Sequence, residues 1–354
     1  MDLNRIFKAF LLKNFTKKKK ITFNLKKISK VLIFRYDRIG DMIVTTPIFR
    51  EIKNIYPDIS ITVLASIANK DVIKYNPYVD KIYINYKNSF FKDFVSLIKL
   101  RAENFDVCIE LDHSVIPHAI IRHKIIKPKK IISIFKEGRY GVKGNEMQLY
   151  DFFSSQDNKN HFAKIWLDTL SFLGINSNNK KYYLFLGPIE KERARSFFNN
   201  VTEKFKIGIN IDAFSPDKRL QVSEIKQICI GLKAHYSDIR IFVISGPSNI
   251  TKNSEIIAKT NLNFVSMSYI TDTIIDAGAF IERLDLVISP DTSIVHVASA
   301  LNIPLVSIHE KNNESYRLWA PTSKLNSTIF AMSEKGLLNY SVHGVISSAV
   351  QILK

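Results

Sequence analysis

Cysteine is almost absent. The 354 residues hold two, Cys108 and Cys229, both inside apolar runs. That excludes a disulfide framework and a cysteine-based zinc site, and both thiols read as buried. No stretch approaches the ~20 apolar residues of a membrane span, and no secretory signal core appears, so cytosolic residence is expected. Glycine is scarce in the first loop, which has Gly40 alone. The three-glycine dinucleotide fingerprint is therefore missing. Acids are outnumbered 33 to 51, a net charge of +18. Half of that excess falls in residues 1–30, which hold ten Lys/Arg and one acid, Asp2.

What is present is ordinary globular composition, 46% hydrophobic and 24% charged. The length suggests two domains of ~150–180 residues each. Leu3, Ile6, Phe7, Phe10 and Leu11 recur at helical spacing, with Arg5, Lys8 and Lys13 around them and the run Lys17–Lys20 behind. A basic amphipathic helix followed by a lysine cluster suits an anionic membrane surface. Competing readings are a solvated tail and a nucleic-acid-binding arm. Residues 31–354 show no aromatic–basic interleaving, so no nucleic-acid partner is expected.

From residue 31 onward, strands alternate with helices in both halves, which implies parallel sheets with right-handed crossovers. Strands are expected over 31–34, 59–64, 82–84 and 105–111, with helices over 42–55, 90–100 and 161–173. The polar stretch 176–181 reads as a linker. The second half repeats the pattern, with strands over 207–211, 239–245, 286–288 and 305–308. Helices are expected over 222–236 and within 271–283, one more contains Glu255, and 310–317 reads as a polar loop. The expected organisation is a basic extension (1–28), a first domain (29–178) and a second domain (179–354).

Three places carry chemistry. After the first strand, Asp41 lies beside Gly40 at a helix start, where a carboxylate is stabilised as the anion and ready as a base, or serves as a simple cap. In the second half, Lys218 and Arg219 follow a strand end, where two cations would neutralise a diphosphate. The stretch 286–308 reads strand, Asp291-Thr292-Ser293, helix, strand; its helix N-terminus suits phosphate, with His296 one turn in. His113, His118 and His123 are spaced five apart, so they share no helix face, and Pro117 is expected to interrupt any helix there. No metal site is expected. Gly138, Gly141 and Gly144, among Lys136, Arg139 and Lys143, read as a flexible basic loop.

Together, VLIFRYDRIGDMIVTTPIFREIK, Lys218-Arg219 and SPDTSIVHVASALNIPLVSI resemble the heptosyltransferase family of bacterial lipopolysaccharide synthesis. The resemblance spans roughly residues 30–322. It implies an α/β GT-B architecture, two Rossmann-like domains with parallel sheets facing across a cleft. It also implies an inverting glycosyltransferase needing no metal or cofactor. The donor, a nucleotide-diphosphate sugar such as ADP-heptose, would lie on the C-terminal domain, and a lipid-linked saccharide acceptor on the N-terminal one. By position, Asp41 resembles the catalytic base, while Gly40, Lys218, Arg219, Asp291, Thr292, Ser293 and His296 fall among the donor contacts. The chain departs from the family pattern at Ser293, where glycine is usual, at Leu220 in place of tryptophan, and at Ser299 in place of alanine. No two aspartates stand two apart, so the D-x-D of metal-dependent transferases is missing. Residues 1–20 would hold the protein on the inner face of the cytoplasmic membrane. A nucleotide-sugar epimerase on the same double fold, or transfer of another sugar, are the alternatives.

Overall fold

The structure, a computed structural model, describes residues 3–15, 27–155 and 159–354. It divides into two compact units. Unit 1 comprises the described residues up to Lys70 together with Asn76–Lys180; unit 2 comprises Asp71–Tyr75 and Lys181–Lys354.

In unit 1 the order is α1 (Leu3–Phe15), β1 (Lys30–Arg35), α2 (Ile39–Ile55), β2 (Ser60–Ser66), β3 (Lys81–Asn85), α3 (Phe90–Ala102), β4 (Val107–Glu110), α4 (Pro117–Ile126), β5 (Lys130–Ile134), β6 (Phe152–Ser154) and α5 (Phe162–Leu167). Unit 2 continues with α6 (Pro188–Phe198), β7 (Phe205–Asn210), α7 (Val222–His235), β8 (Ile239–Ile244), α8 (Ile250–Thr260), β9 (Val265–Met267), α9 (Ile274–Ile281), β10 (Leu286–Pro290), α10 (Ser293–Leu301), β11 (Leu305–His309), α11 (Asn313–Trp319), β12 (Asn326–Phe330) and α12 (Val342–Leu353).

Each unit has a six-stranded sheet among the described residues, and every pairing is parallel. The first sheet runs β3-β2-β1-β4-β5-β6. The second runs β12-β11-β10-β7-β8-β9, the same order read backwards. The strand order reverses between β1 and β4 and between β7 and β10, and crevices at such reversals take ligands. Central strands are covered on both faces, hence the unbroken apolar runs of β1 and β10.

Several expected elements shift. α2 begins at Ile39, three residues early, so Gly40 and Asp41 lie inside its first turn rather than in a loop. Pro47 does not break α2. It cannot donate to the Ile43 carbonyl, and the Thr46 hydroxyl does so instead at 2.7 Å. Pro117 opens α4 instead of interrupting a helix, because a first-turn proline loses no hydrogen bond. The expected helix over 161–173 is α5 continued by a 3-10 segment, Asp168–Leu173, closed by Gly174 at φ 76°. The polar stretch 310–317, expected as a loop, holds the start of α11, which runs on to Trp319 and is capped by Asn312 accepting from the Ser315 amide.

The N-terminal helix packs on unit 1. Leu12 is buried with Val115, Ile120, Ile131 and Leu149, while Leu3, Ile6, Phe7 and Phe10 are exposed. The run Lys17–Lys20 lies outside the described residues. Among the described residues, no helix is long and apolar enough to cross a membrane.

Candidate active site

Unit 1 gathers charge where β1 meets β4. Arg35 ends β1 and is 2% exposed. Its guanidinium lies 3.9 Å from the Trp166 ring centre, donates from Nη1 to Asp37 Oδ2 at 2.7 Å and from Nε to Thr45 Oγ1 at 2.9 Å. Nη2 stands 4.0 Å from Asp41 Oδ1. Thr45 in turn donates to the Asp41 carbonyl at 2.7 Å. The loop between β1 and α2 is held by the Asn69 amide, which donates to the carbonyls of Arg35 (3.1 Å) and Asp37 (3.4 Å). The Asp41 side chain keeps 20% exposure. Burial raises its pKa above the ordinary carboxylate value; Arg35 pulls the other way and Asp37 adds to the rise. A carboxylate so placed is a stronger base than one in water.

Glu110 ends β4 and is wholly buried. Its carboxylate accepts from Lys136 Nζ at 2.8 Å and the Tyr150 hydroxyl at 2.9 Å, and meets His123 Nε2 at 2.6 Å. Burial raises its pKa, but Lys136 and His123 outweigh that and hold it down at about 2. Asp112 follows. Burial, with the charges of Asp37 and Glu110, lifts its pKa to about 7. The glycine-spaced loop has a structural reason: a Cβ on Gly144 would sit 2.5 Å from the Lys136 carbonyl oxygen, so glycine allows the loop to close over the lysine.

The histidines of the first half do not gather. His123 serves Glu110, and His113 packs 4.5 Å from the Phe162 ring, its pKa lowered by burial to about 4. Among the described residues, no three His, Cys, Asp or Glu side chains are grouped to hold a metal ion.

Unit 2 is built differently at the matching place. Asn210, ending β7, donates from its side-chain amide to Ser289 Oγ (3.0 Å), Thr292 Oγ1 (2.9 Å) and the Asp212 carbonyl (3.2 Å). Thr292 is the N-cap of α10 and accepts from the Ile294 amide, and Ser293 opens the helix. The loop after β7 is thus tied to the start of α10. Asn253 braces that loop by donating to Asp212 Oδ2 at 2.7 Å. Asp291 Oδ2 lies 3.9 Å from His309 Nδ1.

Lys218 closes a short 3-10 turn in this loop and is ion-paired with Glu310 at 2.7 Å. A diphosphate would have to compete with that carboxylate. Arg219 turns back and donates from Nε to the Ala213 carbonyl at 3.1 Å, so it supports the loop. His296 is 5% exposed, between the rings of Tyr182 (6.1 Å) and Trp319 (5.7 Å). Burial lowers its pKa to about 4, and its Nδ1 has no hydrogen-bond partner. It is neutral at physiological pH, so it can offer a hydrogen bond but no charge.

Asn210, Glu310 and Asp112 were not picked out from the sequence. Asp112 had a signal, an acid directly after an apolar strand. Glu310 had none, since its partner lies 92 positions away.

Paired sheets of this order, each with polar groups at its reversal, define the GT-B class. A crystal structure of a family 9 glycosyl transferase from Veillonella parvula superposes with a TM-score of 0.77 at 17% identity, covering 92% of this chain and 97% of that one. That of the Escherichia coli ADP-heptose lps heptosyltransferase II gives 0.74 at 18%, covering 92% and 98%. Lipopolysaccharide heptosyltransferase 3 of Escherichia coli is 24% identical over 297 residues, 80% of this chain and 84% of its own. Residues 96–336 match the model of glycosyltransferase family 9 (heptosyltransferase), and the chain belongs to that family. It is a glycosyltransferase. The matched span includes Lys218 and Asp291 to His296 and leaves Asp41 outside.

Proposed function

We propose that the chain transfers heptose, with inversion, from ADP-heptose to a lipid-linked saccharide of the lipopolysaccharide core. Unit 1 takes the acceptor and unit 2 the donor. Asp41 removes the proton of the acceptor hydroxyl. That oxygen attacks the anomeric carbon, the bond to the diphosphate breaks, and the nucleoside diphosphate departs with the electron pair. Lys218 and the backbone amides opening α10 at Thr292 and Ser293 stabilise the leaving charge. Asp291 and His296 orient the donor by hydrogen bonds. Gly40, in the first turn of α2, and Arg219, in the loop it braces through the Ala213 carbonyl, complete the donor contacts.

The observation that carries this reading is the Asn210 side chain. It ties the lysine-bearing loop to the N-cap of α10, so a cation and a helix N-terminus serve one strand end. Names of relatives support heptose. The exposed apolar stripe of α1 beside Arg5 and Lys8 supports a peripheral position on the inner face of the cytoplasmic membrane.

The test is ADP release from ADP-heptose, with and without a heptose-deficient lipopolysaccharide precursor. Release that requires the acceptor is expected. Turnover of donor alone would favour epimerase or hydrolase chemistry, and preference for another nucleotide sugar would overturn the heptose assignment.

A further inference from the structure

Helix α3 has two apolar faces, and only one is used by the fold. Leu97 and Leu100 pack with Leu32, Phe34, Phe105 and Ile126. The other face carries Phe90, Phe91, Phe94, Val95 and Ile98 at i, i+1, i+4, i+5 and i+8, all exposed. Phe90 is 88% exposed and Phe91 75%. Five such side chains in one helical stripe form a contiguous patch, and patches of this kind mark contact surfaces. No step of the transfer uses them.

Charge says what the patch meets. Lys87, Lys92, Lys99 and Arg101 flank the stripe. The helix has one acid, Asp93, and it is neutralised by Arg122 of α4 at 2.8 Å. Between Asp112 and Glu137 the sequence contains no acid, and α1 contains none. Helix α4 links the two outer helices. Its Ile120 packs with Leu12 of α1, its Ile126 packs with Leu97 and Leu100 of α3, and its Ile121 is exposed.

We propose that the outer face of α3, continuous with α4 and α1, is a second membrane-docking surface that lies on an anionic bilayer, its phenylalanines at the acyl boundary and its lysines among the headgroups. The inference rests on the membrane reading given for α1 and adds an attachment remote from it in sequence. Two attachments on one unit would hold the acceptor half against the leaflet where a lipid-linked saccharide is presented.

The experiment is cosedimentation of the full chain with phosphatidylcholine vesicles with and without roughly 30 mol% phosphatidylglycerol, which supplies the anionic surface. Three proteins are compared: the parent, Phe90→Ser/Phe91→Ser, and a chain lacking residues 2–15. Both phenylalanines lie outside the core, so the thermal midpoint and ADP binding of the double variant should match the parent. The expected result is binding of the parent to anionic vesicles, weakened at least about tenfold in the double variant. Parent-like binding by the double variant, with loss in the truncated chain, overturns the α3 surface and leaves the α1 reading standing. A parent that binds no vesicles overturns both. A double variant that binds vesicles normally but no longer self-associates in sedimentation velocity also overturns it, because the patch then belongs to a second copy of the chain.

Discussion

The two sheets share one strand order, yet their reversal points are opposite in character. Unit 1 places four carboxylates, Asp37, Asp41, Glu110 and Asp112, around Arg35 and Lys136. Unit 2 places amides and hydroxyls, Asn210, Ser289 and Thr292, at a helix start, with one lysine already paired to Glu310. The same backbone thus supports two electrostatic tasks. A proton acceptor needs a carboxylate whose affinity for a proton is raised, and burial beside other acids does that. An anion site needs directed N–H groups, and a capped helix supplies them, while Lys218 must exchange Glu310 for the ligand. The scaffold sets where the loops emerge; side chains set the sign of the field there.

That contrast can be tested by asking each pole for a different kinetic defect. Asp41→Asn should lower kcat by about 10²–10⁴ while ADP binding persists. Lys218→Ala should instead weaken ADP binding and raise the donor KM roughly tenfold, with a loss of kcat added because the lysine also meets the departing diphosphate. Steady-state kinetics and ADP binding on both variants decide; a Lys218→Ala protein with parent-like ADP affinity and donor KM would dissolve the division of labour.

A smaller effect concerns stability. Lys136→Met leaves Glu110 buried without its cation, which should cost about 3–5 kcal/mol by urea unfolding. A loss below about 1 kcal/mol would mean that Glu110 is satisfied by His123 and Tyr150 alone.

The subtlest effect is on pH. Asp112 has a folded pKa of about 7 against an ordinary 3.8. Between those values the folded chain holds the proton that the unfolded chain has lost, so this group makes stability fall as pH rises through the window. Asp112→Asn should flatten that slope, with the largest gain over the parent above pH 7 and little difference below pH 4. Urea midpoints from pH 4 to 8 give the answer; a constant offset would show that Asp112 does not titrate there.

Much of the fold was readable locally. The apolar runs of β1, β7, β8, β10 and β11 announce buried parallel strands, and 286–308 displays its strand, cap and helix in order. Asp41 and Lys218 were findable because each follows a strand end. Strands β5, β6, β9 and β12 were not: three to five residues leave too little period to detect, and the last three are short or half-polar besides. The loop over 136–144 looked flexible because its glycines were visible and the tight contact of Gly144 with Lys136 was not.

The sequence by itself determined the alternation, the helix caps and the residue types offered at each strand end, because these depend on neighbours within a few positions. Only the tertiary structure decided which groups share a site. Glu110 meets His123, Lys136 and Tyr150 across 13, 26 and 40 positions, and Asn210 meets Thr292 across 82. Those encounters follow from the order of strands in the sheet, and they set burial and partner charge. Burial and partner charge in turn decide whether a carboxylate is a buried counter-ion like Glu110 or a candidate base like Asp41.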